Sequence, residues 1–107
     1  MSYEIRMTRK AELDIGEAWD YISYDLLNPD DADSLLDKID ETVQTLCEMP
    51  ERFAIIDDPV LNSLEIRFTR VGNYLLFYMV SAEENCVYII RFLYERRNWI
   101  GILRGGA

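Results

Sequence analysis

The 107-residue sequence contains no histidine, only two cysteines, and no apolar run long enough to cross a bilayer. The absence of histidine removes the side chain that most often serves as general base or metal ligand near neutral pH. Cys47 and Cys86 are far apart and lack a CxxC spacing, so we expect two reduced thiols rather than a disulfide or a zinc site. The first residues also lack the apolar block of a signal peptide. We therefore expect a cytoplasmic protein that needs no membrane, metal or organic cofactor.

Positive charge is scarce, since 11 Lys and Arg residues face 20 Asp and Glu residues and give a net charge of −9. Residues 1–60 hold five basic and sixteen acidic side chains, whereas residues 61–107 hold six basic and four acidic ones. All six basic residues of the second part are arginines, which suit planar, bidentate contact with phosphate or carboxylate. Because an acidic chain repels nucleic acid as a whole, we expect any anionic partner at these arginines.

Two helices and an N-terminal strand are predicted in the first half. Residues 3–7 alternate between large and polar side chains, which is typical of a short strand. Apolar spacings of three and four predict a helix capped by Thr8, and a second helix from Asn28 and Pro29 to near Met49. Because the connection between them is very short, we predict an antiparallel helical hairpin. The predicted inward positions are Ala11, Ile15, Ala18, Trp19, Ile22 and Leu26, followed by Ala32, Leu35, Leu36, Ile39, Val43 and Leu46.

Three strands are predicted in the second half, after an irregular loop over residues 51–62. Residues 64–70 alternate strictly, residues 74–80 are strongly apolar, and the segment that begins at Cys86 reads as a central strand. Short turns between them predict an antiparallel meander, and a short helix is predicted after Trp99. The chain is long enough for one core, so we predict a single domain over residues 1–107. The fold class is α+β: an N-terminal strand, an antiparallel two-helix hairpin packed on an antiparallel β-meander, and a short C-terminal helix.

A sheet covered on one face by a hairpin would leave its other face open. The alternation of residues 64–70 assigns Arg67 to the side opposite Leu64, Ile66 and Phe68, which we take as the open side. Periodicity alone does not decide whether Arg91, which shares a face with Val87 and Ile89, lies on that side. We predict that Arg67, Arg91 and Arg96 form one functional patch on the uncovered side of the sheet and at its end. The structural alternatives are surface ion pairs of Arg67 or Arg91 with Glu65 or Glu95, and anchoring of Arg96 and Arg97 to the acidic helices.

The arginines meet only part of what a ribonuclease needs. Cleavage of RNA through its own 2′-hydroxyl requires a base, a donor to the leaving oxygen, and positive charge on the phosphate. Arginines supply the charge, and the nearby candidates for proton transfer are Glu65, Glu95 and Tyr94. The aromatic residues of the second half could stack on bases, although we expect most of them in the core.

Five stretches together carry a family resemblance that covers nearly the whole chain. They are the opening YEIRMTRKAELDI, the helix over residues 32–50 with LCEMPERF at its end, the strand EIRF with Arg67, the pair Tyr74 and Tyr78 in NYLLFYMV, and the ending IIRFLYERRNW. In this combination the sequence resembles the RelE/ParE superfamily, the toxins of type II toxin-antitoxin modules, also called plasmid stabilisation proteins. The resemblance implies the same α+β fold and a cognate antitoxin as partner.

Members of this superfamily divide into ribosome-dependent mRNA endonucleases of the RelE kind and ParE-like toxins that act on DNA gyrase. The resemblance implies that Arg67 and Arg91 are sheet arginines, that Arg96 and Arg97 are the basic pair after the last strand, and that Tyr94 stands where many relatives have histidine. The long helical hairpin looks more like ParE.

We predict a ParE-like toxin that inhibits growth unless its antitoxin is bound. One alternative is an mRNA endonuclease acting on the ribosome, with Arg67, Arg91, Tyr94 and Arg96 as its catalytic and phosphate-binding residues. Another is a non-toxic homologue that acts as a binding module.

Overall fold

The computed structural model describes residues 2–105, so Met1, Gly106 and Ala107, at the ends of the predicted domain, lie outside it. The elements are β1 (Glu4–Met7), α1 (Arg9–Asp20), a π-helical segment (Tyr21–Asp25), α2 (Pro29–Glu48), α3 (Pro59–Ser63), β2 (Arg67–Val71), β3 (Tyr74–Ser81), β4 (Cys86–Tyr94) and α4 (Trp99–Arg104). The strands and the helices α1, α2 and α4 follow the order expected from the sequence, and a π-helical segment and the helix α3 are added to it.

The four strands form one mixed sheet in the order β1-β4-β3-β2. The strands β2, β3 and β4 pair antiparallel, as predicted for a meander. The strand β1 pairs parallel with β4, in a register that aligns Glu4 with Cys86 and Met7 with Ile89. A parallel neighbour needs a long crossover, which α1 and α2 provide. The α+β class, the central place of β4 and the short C-terminal helix are therefore confirmed.

The ends of α1 and α2 follow the capping residues in the sequence. The Thr8 side chain accepts a hydrogen bond from the Ala11 amide, and the Asn28 side chain accepts one from the Asp31 amide. Pro29 occupies the first turn of α2, where its missing amide costs nothing. Each cap satisfies a backbone donor that the helix itself leaves unpaired. Local sequence therefore sets where both helices begin.

Most, but not all, of the predicted inward positions face the core. Ala11, Ala18, Ala32, Leu35, Ile39 and Leu46 are buried. The prediction is wrong for Leu26, which lies exposed just beyond the π-helical segment, because the wider π turn rotates the side chains that follow it. It is also wrong for Leu36, which is 36% exposed at the edge of the stripe formed by Ala32, Leu35 and Ile39.

The sheet separates two apolar clusters. Leu76, Tyr78, Val87 and Ile89 pack with buried residues of α1 and α2 on one face. On the other face, Leu75, Phe77 and Leu93 pack with Leu61 of α3 and Leu103 of α4. The predicted open face is therefore wrong, since α3 and α4 contribute to a second core there. The physical cause is that β3 presents apolar side chains on both of its faces, so other elements have to cover both faces of the sheet.

The helix α3 lies in the stretch predicted to be a loop. The Asp58 side chain accepts a hydrogen bond from the Leu61 amide, Pro59 fills the first turn, and Leu61 is fully buried. Behind α3, Glu65 adopts a left-handed φ of 57° and the Ile66 amide donates to the Leu61 carbonyl. This turn delays the start of β2 from the predicted residue 64 to Arg67.

The length and the hydropathy of a helix decide whether it could cross a membrane. Within residues 2–105, no helix is both long enough and apolar enough to cross a bilayer.

Candidate functional site

A cleft of about 490 Å³ opens between α1 with its π-helical segment and the adjoining ends of β3 and β4. Its walls are mostly apolar or aromatic, with a few polar groups. The helical wall holds Asp14, Glu17, Ala18, Tyr21, Ile22 and Leu26, and the sheet wall holds Asn73, Tyr74, Phe92, Leu93, Tyr94 and Arg97. Concave, largely apolar surfaces with few polar groups are the usual form of binding sites in proteins.

Aromatic rings form the sheet wall of the cleft. Tyr74 stacks on Phe92 with ring centroids 4.9 Å apart and an interplanar angle of 9°. Tyr94 meets Tyr74 edge to face at 5.7 Å. Such pairs add stability beyond simple burial and hold the rings in fixed positions. The cleft therefore presents a rigid aromatic wall opposite the helices.

Arg91 is bound to a buried carboxylate next to the cleft. Its Nε lies 2.6 Å from Oδ2 of Asp14 and its Nη2 lies 2.9 Å from Oδ1, and the Phe92 amide donates to the same carboxylate at 3.0 Å. The hydrogen bond to Asp14 is the main reason that the pKa of Arg91 is raised above its ordinary value. The guanidinium is thus occupied by a bidentate contact within the protein.

A bulge in β4 lies directly before Arg91. Phe77 pairs with Arg91, whereas the next residue, Tyr78, pairs with Ile89, so Ile90 is the additional residue. A bulge re-aims the side chains beyond it. Phe92 consequently joins Ile89 in the cluster under α1, although strict alternation would separate them.

Asp14 is a site residue that sequence reasoning missed. It is buried, although the predicted inward stripe of α1 does not include it. The signal was available, because Asp14 lies three residues after Ala11 and four before Ala18 and so falls on the inward stripe. A carboxylate at such a position requires a buried partner, and a central-strand arginine can supply it.

Arg67 lies on the side of the sheet that α1 and α2 cover, so the prediction that it lies on an open side is wrong. It pairs across β2 and β3 with Tyr78, which faces α1 and α2. Its Nη1 donates to the carbonyl oxygens of Phe53 at 2.7 Å and Glu51 at 3.2 Å. These bonds tie the segment after α2 to β2, and the Tyr78 hydroxyl reinforces them by donating to the Pro50 carbonyl at 2.7 Å.

The predicted patch of Arg67, Arg91 and Arg96 is therefore not brought together. Arg67 and Arg91 lie on strands separated by β3, and Arg96 is exposed in the turn after β4. Arg67 and Arg91 also do not form the predicted ion pairs with Glu65 or Glu95. Glu95 pairs with Arg70, and Arg91 pairs with Asp14. Of the four predicted site residues, Tyr94 alone lines the cleft.

Two further cleft residues, Tyr21 and Arg97, were not among the predicted site residues. The Arg97 amide donates to the Tyr94 carbonyl, so the turn after β4 carries Arg97 rather than Arg96 into the cleft lining. Tyr21 begins the π-helical segment, and π turns often occur at functional sites. No sequence signal distinguishes a π turn from a regular helical turn here.

The Tyr74 phenol of the cleft stays protonated at neutral pH. Burial, followed by the neighbouring Tyr21 and Tyr94, raises the pKa of Tyr74 above 10.0. Among the described residues, no group of three or more histidine, cysteine or acidic side chains is placed to hold a metal ion. Rings, phenol donors and one arginine can bind a partner or ligand, and these features favour binding over proton transfer.

A second, smaller groove lies on the opposite face of the sheet. Its volume is about 390 Å³ and its lining includes Leu64, Ile66, Met79, Ile90 and Leu103. Leu64 is half exposed there. This groove belongs to the face covered in part by α3 and α4 and is separated from the cleft by the sheet.

The architecture is similar to that of several toxin-antitoxin structures. The chromosomal ParDE system of Pseudomonas aeruginosa matches with a TM-score of 0.68 and 20% identity, over 87% of this chain and 96% of the other. The RelBE2 complex of Mycobacterium tuberculosis matches with a TM-score of 0.61 and 20% identity, over 88% and 99%. The archaeal RelE-RelB complex of Pyrococcus horikoshii gives 0.58 and 16%, over 91% and 99%. At these identities the likeness establishes the fold.

Sequence comparison establishes the family. No curated protein matches the chain. The family model described as the ParE toxin of type II toxin-antitoxin system, parDE, matches residues 5–99, which include β2, β3, β4, all of β1 but its first residue, and the helices α1, α2 and α3. The chain therefore belongs to the ParE toxin family, within the RelE/ParE superfamily of toxins.

Proposed function

We propose that this protein is a ParE-like toxin that arrests growth by acting on DNA gyrase and is neutralised by a cognate antitoxin. The observation that carries the proposal is the family match over residues 5–99. The antitoxin is supported by the three structural neighbours, each solved as a toxin-antitoxin system or complex. The gyrase target is the part that depends on the ParE resemblance.

The contacts of the sheet arginines support a non-enzymatic toxin over an mRNA endonuclease. Arg91 is held by Asp14 and Arg67 by two backbone carbonyl oxygens, so both guanidinium groups already serve contacts within the protein. The chain also contains no histidine, and Tyr74 in the cleft has a raised pKa.

The helical hairpin forms part of the same proposal, with α1 and α2 running antiparallel as expected for a ParE-like build. Trp19, near the end of α1, donates its indole N–H to Asp33, near the start of α2, at 3.2 Å. At the opposite end, the Tyr3 amide, just before β1, donates to the Cys47 carbonyl near the end of α2. Contacts at both ends, with the short connection over residues 26–28, support an antiparallel course.

Induced expression in a bacterial host tests the proposal. We expect growth to stop, DNA synthesis to fail before translation, and growth to recover when the small open reading frame beside the gene is co-expressed. Incorporation of labelled thymidine and labelled methionine, followed in parallel, separates the two processes. An earlier loss of translation would contradict the gyrase target.

A ribosome-bound cleavage assay tests the enzyme alternative. If the purified protein cleaves mRNA on the ribosome, and Tyr94→Phe or Arg96→Ala abolishes cleavage, the RelE-like function replaces the one proposed here. If induction leaves growth, replication and translation unchanged, the protein is a non-toxic homologue that acts as a binding module.

A further inference from the structure

The end of the π-helical segment exposes four large side chains within seven residues. They are Tyr21, Tyr24, Leu26 and Leu27, which we name the tip. Tyr24 is 65% exposed and Leu27 is 82% exposed. Scattered apolar residues on a surface are ordinary, whereas a contiguous exposed group is typical of an interaction site.

The backbone of Leu27 makes its exposure more informative. Its φ is 52°, in the left-handed region that disfavours side chains with a Cβ. A left-handed leucine costs roughly 1 to 2 kcal/mol, and glycine or asparagine would relieve much of that strain. Strained residues with no structural role of their own concentrate at functional positions. Leu27 combines a strained backbone with a side chain that is 82% exposed, which indicates a contact with another molecule.

The tip is continuous with the cleft. Tyr21 and Leu26 belong to the tip and also line the cleft, whose opposite wall carries Tyr74 and Tyr94. A partner that covers the tip can therefore also reach the cleft. Well-packed pockets of this kind hold the side chains that dominate binding energy.

The negative charge around the tip and the cleft favours a partner that carries positive charge. Residues 11–37 contain no lysine or arginine, and their acidic residues are Glu12, Asp14, Glu17, Asp20, Asp25, Asp30, Asp31, Asp33 and Asp37. Glu17, Asp20 and Asp25 are exposed on the turns that carry the tip. A second copy of this chain, with a net charge of −9, would be repelled, and so would nucleic acid. A segment that carries positive charge is the complementary occupant.

We propose that the tip and the cleft receive a basic, amphipathic segment of the cognate antitoxin. One apolar side chain of the segment enters the cleft between Tyr21 and Tyr74, and lysine or arginine side chains face the carboxylates of Glu17, Asp20 and Asp25. The proposal rests on the proposed function, which supplies the antitoxin as partner.

Calorimetric titration of the protein with the antitoxin encoded beside its gene tests this docking surface. Leu27→Asn removes the apolar contact while relieving backbone strain, so its melting temperature should be at or above that of the wild type. The triple change Glu17→Gln, Asp20→Asn and Asp25→Asn removes the acidic rim. Leu64→Asn is the matched control, because it replaces a leucine that is 50% exposed on the opposite face.

We expect Leu27→Asn and the triple variant each to weaken binding about tenfold or more, with Leu64→Asn within about twofold of wild type. Raising salt from about 0.05 to about 0.5 M should weaken wild-type binding more than that of the triple variant. A smaller loss in either variant, or an equal loss in the control, overturns the proposal. Loss of growth arrest with unchanged antitoxin binding also overturns it, because the tip would then serve the target. Failure of the wild type to bind refutes the proposed function itself.

Discussion

At the scale of single residues, the acidic and basic side chains with the most structural consequence are those that the fold has buried. Asp14 and Asp58 are both buried, and each accepts a bidentate contact from an arginine far away in the sequence. Arg91 and Arg104 are the partners, so two of the six arginines of residues 61–107 hold helices to the rest of the molecule. Part of the positive charge in residues 61–107 therefore stabilises the fold and is not free to bind a partner.

Replacing Asp14 by alanine should destabilise the protein by about 3 to 5 kcal/mol, because it leaves the buried Arg91 guanidinium and the Phe92 amide without a partner. Urea unfolding followed by circular dichroism measures the effect. Glu17→Ala, an exposed change three residues further along α1, is the control and should stay within about 0.5 kcal/mol. Equal effects of the two changes would mean that the ion pair does not hold α1 to β4.

The Asp58 carboxylate should make stability depend on acid pH. Its hydrogen bond from Arg104 lowers the pKa of Asp58 below 3.8, so its contribution is present above that value and is lost as the pH falls through the lower, folded value. Asp58→Asn should therefore melt well below the wild type at neutral pH, with the gap narrowing below about pH 4. Thermal unfolding at several pH values checks this. The neighbouring, exposed Asp57→Asn is the control, and a gap that is constant with pH would contradict the prediction.

At the scale of elements, burial along α2 separates positions that look alike in the sequence. Ile39 is 4% exposed and Leu36 is 36% exposed, although both are apolar and both fit a helical stripe. The stripe that reaches the sheet is narrow, because α2 packs through Ala32, Leu35, Ile39 and Leu46. Leu36 sits at its margin.

Ile39→Ala should cost about 2 to 5 kcal/mol of the free energy of unfolding, since it opens a cavity in the core between α2 and the sheet. Leu36→Ala should cost about 1 kcal/mol or less, because that side chain already meets solvent. Each variant is the control for the other in the same chemical unfolding experiment. A Leu36 effect as large as that of Ile39 would show that the helix packs through a broader face.

At the scale of the whole molecule, apolar surface and negative charge lie together. Residues 11–37 carry acidic side chains without a lysine or arginine, and the same segment bears the tip. Such a surface keeps copies of the protein apart by repulsion while leaving apolar area for a partner of opposite charge. This combination suits a toxin that has to stay soluble and yet be captured.

The antitoxin should raise the melting temperature markedly. A partner that binds only the folded state, at a free concentration one hundred times its dissociation constant, stabilises it by about 2.7 kcal/mol. For a domain of this size that corresponds to roughly 10 to 20 °C. Differential scanning fluorimetry with and without the antitoxin measures the shift, and an unrelated acidic protein at equal concentration is the control. An unchanged melting temperature at saturation would contradict capture of the folded toxin.

The sequence by itself determined the order of the four strands and of α1, α2 and α4, the capped starts of α1 and α2, the central place of β4 and the family, but it did not predict α3 or the π-helical segment. These features depend on local spacing and on residues such as Thr8, Asn28 and Pro29, whose effects act within a few positions. Tyr94 could also be identified as a cleft residue from its place at the end of the last strand.

Tertiary structure alone decided which charged groups are available at the site. Asp14 of α1 binds Arg91, the turn after β4 brings Arg97 instead of Arg96 into the cleft, and the loop after α2 occupies Arg67. The contacts of Arg91 and Arg67 join residues distant in sequence, and the bulge at Ile90 moves Phe92 to the face of β4 that strict alternation would not give it. The sequence pattern carries no record of such a shift, so the geometry of the site required the fold.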